Sequence, residues 1–178
     1  MSKRLGIGFL NITRMTRKQK FLGLYLALFA LLVILDIYTK ETIKRNLMDG
    51  YSIDLMPFLK LVLVHNRGAA FGLLADSRGW QLFLFIATAI VVSLAIVVRL
   101  LRSAGSHRWY EISLVLILAG AVGNLTDRVR TGYVIDFVQL YYEDWQFPAF
   151  NVADTAIFLG ALMLIFEIMG VLPRRREE

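Results

Sequence analysis

The chain contains no cysteine and only two histidines, His65 and His107, among its 178 residues. The lack of cysteine excludes disulfide bonds, thiolate nucleophiles and cysteine-ligated metals. Two histidines are too few to build a histidine-based metal site. We therefore expect neither a metal ion nor another cofactor.

Charged residues are also scarce, at 19%, whereas apolar residues make up 57% and the mean hydropathy is +0.60. A soluble domain usually has about 25% charged and about 45–50% apolar residues. Four membrane spans would use about 80 residues, and the remainder is too short for a separate soluble catalytic domain. The composition predicts a membrane protein whose chemistry resides in its spans and loops.

Four apolar runs predict four transmembrane helices. The runs cover residues 21–35, 79–98, 112–126 and 145–166, and the last is interrupted only by Asp154. Trp80, Trp109 and Trp145 lie at the edges of runs, where an aromatic belt meets the membrane interface. We expect a basic tail over residues 1–20, one transmembrane domain over 21–172, and a second tail over 173–178.

The net charge of +6 reflects membrane topology rather than nucleic-acid binding, because the basic residues flank the apolar runs and form no basic face. Twelve of the 20 basic residues fall on the side of the two termini, and eight fall on the opposite side. The positive-inside rule places both termini in the cytoplasm and loops 36–79 and 127–145 outside. The first run resembles a signal peptide, but no small-x-small cleavage site follows it, so we expect a retained anchor.

Loop 36–79 contains two local patterns. Residues 41–47 predict a short interfacial helix, and residues 60–64 are rich in strand-forming side chains. We expect a small β-element on the outer face of the membrane.

Polar residues stand beside apolar sequence in five places, all mapped to the outer boundary of the membrane. Such residues are costly in a bilayer and usually have partners or a function. Asp36 and Lys40, spaced i,i+4, predict either an ion pair at the end of a span or a brace for a site. The other clusters are Asn66 with Gly68, then Asn124 with Asp127 and Arg128, then Asp136, and finally Asn151 with Asp154.

Each cluster alone also has an ordinary explanation, such as a turn, a polar helix terminus or a helix cap. Their convergence suggests that Asp136 and Asp154 meet in an apolar setting. Two close carboxylates share a proton, so one can act as a base and the other as an acid, as in aspartic proteases. A proton relay, an ion path or a non-catalytic assembly protein could use the same residues.

In this order the clusters resemble the lipoprotein signal peptidase family (signal peptidase II). The matching motifs are Asp36-x-x-Thr39-Lys40, Asn66-x-Gly68-Ala69-Ala70-Phe71, Gly120-Ala121-x-Gly123-Asn124-x-x-Asp127-Arg128, Val134-x-Asp136-Phe137 and Phe150-Asn151-x-Ala153-Asp154. Two positions depart from the common pattern: Ile37 stands where the family usually has Gln, and Ala119 where it usually has Gly. Neither departure touches the two acids.

The resemblance implies an all-α membrane protein with four transmembrane helices, a small β-cradle and a short interfacial helix on the outer face. It implies an aspartyl endopeptidase of the bacterial inner membrane, inhibited by globomycin, that cuts diacylglyceryl-modified prolipoproteins before the lipidated cysteine. The resemblance assigns catalysis to Asp136 and Asp154. It places Asn66, Gly68, Asn124, Arg128 and Asn151 around them, with Asp36, Lys40 and Asp127 as structural support.

Overall fold

The computed structural model describes residues 15–68 and 79–171. This part of the chain forms four helices and one four-stranded sheet. In chain order the elements are α1 (Arg17–Asn46), β1 (Ser52–Met56), β2 (Leu59–Asn66), α2 (Trp80–Ser103), α3 (Arg108–Thr131), β3 (Val134–Tyr142), β4 (Trp145–Gln146) and α4 (Val152–Ile168).

The protein is mostly helical, and three helices in the described part of the chain, α1, α2 and α3, are long and apolar enough to cross a membrane. Their surfaces are largely unburied within the protein, most of all in α1 and α2. Helices of this composition are stable in lipid because every internal backbone polar group is hydrogen-bonded within the helix. The fourth helix, α4, has 17 residues.

The expected separate helix over residues 41–47 is wrong, because α1 continues without a break to Asn46. No glycine or proline lies between Leu35 and Asn46 that could end the helix. Asp36 and Lys40 do not end it either, because both side chains are buried and paired with each other within α1.

The apolar run at 145–166 is not helical throughout. Its first two residues form β4, the next five are not helical, and α4 begins only at Val152. Pro148 disfavours a helical conformation at the residue before it. Asn151 then caps α4, since its side chain accepts a hydrogen bond from the backbone N–H of Asp154.

The sheet is antiparallel, with the strand order β1-β2-β3-β4. The strand predicted at 60–64 is confirmed as part of β2. Strands β2 and β3 pair so that Asn66 lies opposite Val134, and Val64 lies opposite Asp136. This register brings the end of β2 next to the buried beginning of β3.

Helices α3 and α4 approach each other closely at two glycines. A Cβ atom on Gly120 would overlap the backbone carbonyl of Ala153, and one on Gly160 would lie 2.7 Å from the carbonyl oxygen of Ser113. Small residues at such positions allow helix backbones to come together in a membrane. This contact sets the start of α4 against the second half of α3.

Candidate active site

Asp154 lies in the first turn of α4, and its position is set by a reciprocal cap. Its backbone N–H donates to Asn151 Oδ1 at 2.8 Å, and its Oδ2 accepts from the backbone N–H of Asn151 at 3.2 Å. The other carboxylate oxygen, Oδ1, accepts from Asn124 Nδ2 at 2.7 Å. Both oxygens of Asp154 are therefore held, and the helix N-terminus favours the negative charge of this carboxylate.

Asp136 lies on β3 and is only 1% exposed. Its Oδ1 accepts from Asn151 Nδ2 at 2.7 Å, and its Oδ2 accepts from Asn66 Nδ2 at 2.8 Å. The backbone N–H of Gly68 donates to Asn66 Oδ1 at 3.0 Å, which orients the asparagine so that its NH₂ group faces Asp136. A local turn at the end of β2 thus supplies one partner of the buried acid.

Asn151 links the two acids. Its side-chain oxygen caps the helix that carries Asp154, and its NH₂ group donates to the carboxylate of Asp136. The same NH₂ group lies 3.2 Å from Asn124 Oδ1 and 3.2 Å from the backbone oxygen of Ile135. One fully buried asparagine therefore couples β3, α3 and α4 at the point where the acids meet.

A buried ion cluster lies behind the acids. Lys40 Nζ is 2.7 Å from Asp36 Oδ2, 2.9 Å from Asp127 Oδ2 and 3.1 Å from Asn124 Oδ1. Asp36 Oδ1 also accepts from the backbone N–H of Ala153 at 2.9 Å. Because Lys40 holds the oxygen of the Asn124 amide, the NH₂ end of that amide is directed to Asp154. Asp36 and Lys40 thus form a brace that joins α1, α3 and α4.

Arg128 is half-buried, and its Cζ atom lies 4.9 Å from the ring centroid of Phe85. Within residues 15–68 and 79–171, no carboxylate lies within ion-pair distance of Arg128. The guanidinium group lines the same cavity as the two acids. It is therefore positioned beside the site without being bound to either carboxylate.

The two acids line one cavity of about 800 Å³. Asn66, Gly68, Asn124 and Arg128 provide further polar or backbone contacts at this end. Most of the remaining lining is apolar and comes from α4 and from the segment that precedes it: Phe147, Pro148, Ala149, Phe150, Ile157, Phe158, Leu159 and Ala161. The cavity can accept a long apolar ligand that presents one polar bond to the carboxylates.

Burial raises the pKa of Asp136 to about 7, and the negative charge of Asp154 adds to this effect. The amides of Asn66 and Asn151 and the charge of Lys40 act in the opposite direction. Near neutral pH, Asp136 therefore carries a proton in a large fraction of molecules. A protonated acid beside a second carboxylate can provide the acid and the base that water-mediated hydrolysis needs.

The structure brings all ten residues singled out in the sequence to one end of the helix bundle. The lining of the cavity by 147–149 was missed because these residues were included in an apolar span, although Pro148 indicated a break. The side chain of Phe137 is buried and is not part of the cavity lining. Phe71 lies outside the described residues.

Apolar spanning helices and a cavity lined by two aspartates are the features expected of an integral-membrane peptidase of the aspartic class. A family model described as signal peptidase (SPase) II matches residues 28–170. The chain belongs to this family, the lipoprotein signal peptidases. It is thus an aspartic peptidase that removes signal peptides from prolipoproteins.

Individual relatives agree with this assignment. A lipoprotein signal peptidase of Acinetobacter baumannii is 42% identical over 144 residues, which cover 81% of this chain and 82% of the relative. One from Escherichia coli O157:H7 is 40% identical over 154 residues, covering 86% and 93%. A solved bacterial membrane enzyme superposes with a TM-score of 0.77 at 30% identity, covering 89% of this chain and 94% of that one.

Proposed function

We propose that Asp136 and Asp154 are the catalytic pair and that the substrate is a diacylglyceryl-modified prolipoprotein, cut just before its lipidated cysteine. The observation that carries this proposal is that both carboxylates line one cavity and are linked through Asn151.

The environments of the two acids suggest their roles. Asp136 holds the shared proton in the resting enzyme, because burial opposes its ionisation. Asp154, at the N-terminus of α4, takes a proton from the attacking water, while Asp136 donates its proton to the scissile carbonyl oxygen. The tetrahedral intermediate then collapses as Asp154 passes its proton to the leaving nitrogen and Asp136 recovers a proton from a hydroxyl group.

The surrounding amides keep the carboxylates in place. Asn66 and Asn151 hold Asp136, and Asn124 holds Asp154. Arg128 stands at the cavity wall, where it is available to a polar group of the substrate. Lys40 gives structural support, because it donates a hydrogen bond to the Oδ1 atom of Asn124. Asp36 and Asp127 in turn hold Lys40 in place through ion pairs.

The apolar part of the cavity fits the lipid-modified substrate. Phe158 and Ala161 extend the lining along α4, away from the acids and toward the membrane-facing surface. We assign this part to the apolar signal peptide and the acyl chains of the modified cysteine. Globomycin, a cyclic lipopeptide, would inhibit by occupying the same space.

We further propose that α4 is a fourth transmembrane helix. Its 17 residues measure about 26 Å, close to the roughly 30 Å of a hydrocarbon core. With four spans, the distribution of basic residues places both termini in the cytoplasm and the acids near the periplasmic face of the inner membrane. Residues 21–172 form the catalytic domain between two basic or charged tails.

The test is cleavage of a diacylglyceryl-modified prolipoprotein by purified protein in detergent, with and without globomycin. Asp136→Asn and Asp154→Asn should each lower the rate by on the order of 1,000-fold or more, because each removes one half of the acid–base pair. Asp144→Asn is a matched control, since Asp144 is an exposed acid in the turn between β3 and β4. Normal cleavage by either active-site variant would show that the catalytic pair is assigned incorrectly.

A further inference from the structure

A second cavity, of about 460 Å³, lies between α1 and α3 at the end of the bundle opposite the sheet. Tyr25, in its lining, precedes Lys40 by 15 residues on α1, which is about 22 Å along the helix. This cavity is therefore separate from the active site. Its lining combines apolar side chains within the spans with three basic residues at the helix ends: Arg17, Lys20 and Arg108.

The three basic residues lie together in the lining of this cavity. Within residues 15–68 and 79–171, none of them forms an ion pair. The guanidinium carbons of Arg108 and Arg17 lie 5.1 Å and 5.8 Å from the ring centroid of Phe21. Two like charges on one aromatic ring repel each other, so an anion placed between them would be stabilised.

The acid nearest to Arg108 along α3, Glu111, is engaged in hydrogen bonds and forms no ion pair with the three basic residues. Its Oε2 accepts from the Tyr25 hydroxyl at 2.6 Å and from the backbone N–H of Gly105 at 2.9 Å. Its Oε1 accepts from the backbone N–H of Ser106 at 3.2 Å, and the residue is fully buried. Through these hydrogen bonds the carboxylate links the connection between α2 and α3 to α1.

The apolar side of the cavity faces lipid. The apolar stretch of α1 is only 11% buried inside the protein, and Leu24 in the cavity lining is 63% exposed. In a membrane, this surface contacts acyl chains. A ligand that fits both parts of the cavity must combine an acyl chain with a negatively charged head group.

We propose that this cavity binds an anionic phospholipid, with its phosphate at Arg17, Lys20 and Arg108 and one acyl chain along Leu24 and Ile112. The lipid belongs to the leaflet opposite the active site. Basic pockets between transmembrane helices at a membrane interface have the chemistry that recognises anionic head groups. The proposal does not depend on which residues perform catalysis.

Native mass spectrometry of the full chain in a neutral detergent tests the proposal, with dioleoylphosphatidylglycerol and dioleoylphosphatidylcholine as probes. The variant Arg17→Gln/Lys20→Gln/Arg108→Gln should bind phosphatidylglycerol about 100-fold more weakly, because each basic residue near an anionic head group contributes roughly a factor of five. The control Lys18→Gln/Arg99→Gln/Arg102→Gln removes the same charge from exposed positions at the same end. It should retain phosphatidylglycerol.

A second variant tests the acyl-chain part of the cavity. Ile112→Trp should fill the cavity and lower phosphatidylglycerol binding by at least 10-fold with the three cations unchanged. If the triple variant does not fold, Lys20→Gln alone should still lower binding several-fold, because Lys20 is exposed. Three results would each overturn the proposal. They are an equal loss of phosphatidylglycerol binding in the control variant, binding of phosphatidylcholine equal to that of phosphatidylglycerol, and a rise in melting temperature with glycerol 3-phosphate alone that equals the rise with phosphatidylglycerol.

Discussion

Replacing Gly123 by alanine should damage the active site without touching a catalytic residue. A Cβ atom there would lie 2.6 Å from Asp36 Oδ2 and 3.2 Å from the Cβ of Ala153. Asp36 cannot move freely, because it is buried and bound to Lys40 and to the backbone of Ala153. The strain must therefore shift α3, which carries Asn124, against the start of α4, which carries Asp154.

The size of the shift follows from these distances. Ordinary contacts begin at 3.4 Å, so the neighbouring atoms must move apart by about 0.8 Å. A misplacement of about 1 Å at a catalytic group costs on the order of 100-fold in rate. Overpacking costs about 1–3 kcal/mol, whereas alanine gains about 1 kcal/mol over glycine in a helix, so the net loss of stability is only about 0–2 kcal/mol.

Two matched variants separate the loss of activity from the loss of stability. Gly160→Ala overpacks the same helix pair, with Cβ 2.7 Å from the carbonyl oxygen of Ser113, but it lies six residues beyond Asp154. Gly23→Ala on α1 meets nothing within 4 Å. Prolipoprotein cleavage per folded molecule should fall about 10- to 100-fold in Gly123→Ala and much less in the other two. Equal rates in Gly123→Ala and Gly160→Ala would refute the reasoning.

Two further predictions concern pH and the buried ion cluster. Because the folded pKa of Asp136, about 7, is above the ordinary value of 3.8, the folded protein binds the extra proton between these values and loses stability as pH rises toward 7. Asp136→Asn should therefore raise the unfolding free energy more at pH 8 than at pH 4, by up to about 4 kcal/mol; an equal effect at both pH values would contradict the shifted pKa. Lys40→Met should lower the unfolding free energy by about 3–5 kcal/mol, because it leaves the buried Asp36 and the half-buried Asp127 without a cation. Thermal melting in detergent measures this loss, with the exposed Lys44→Met as a control that should melt like the wild type.

The sequence was informative about the site because a polar side chain is costly in an apolar stretch. Asp136 stands between Ile135 and Phe137, and Asp154 stands within a long apolar run. Such residues are noticeable without any knowledge of the fold. The i,i+4 pair of Asp36 and Lys40 could be predicted for the same reason, since both partners lie on one helix.

Helix ends were harder to predict from apolar composition. The extension of α1 to Asn46 depends on the burial of Asp36 and Lys40 against α3 and α4, which a local pattern does not show. The late start of α4 was indicated by Pro148 and Asn151, but the apolar residues around them masked that signal. An apolar residue fits equally well in a transmembrane helix and in the wall of a cavity, so its apolar character does not distinguish the two.

The sequence by itself determined the class of protein, the positions of the apolar segments and the identity of the polar residues, because these depend on local composition. Only the tertiary structure decided which of the polar residues bind one another. Asp136 meets Asn66 across 70 residues, and Lys40 meets Asn124 across 84. Contacts of this kind arise from the strand register and from the close packing of α3 on α4, which involve segments distant in the chain. The cavity and the raised pKa of Asp136 follow from that packing, because burial depends on all the elements that surround a group.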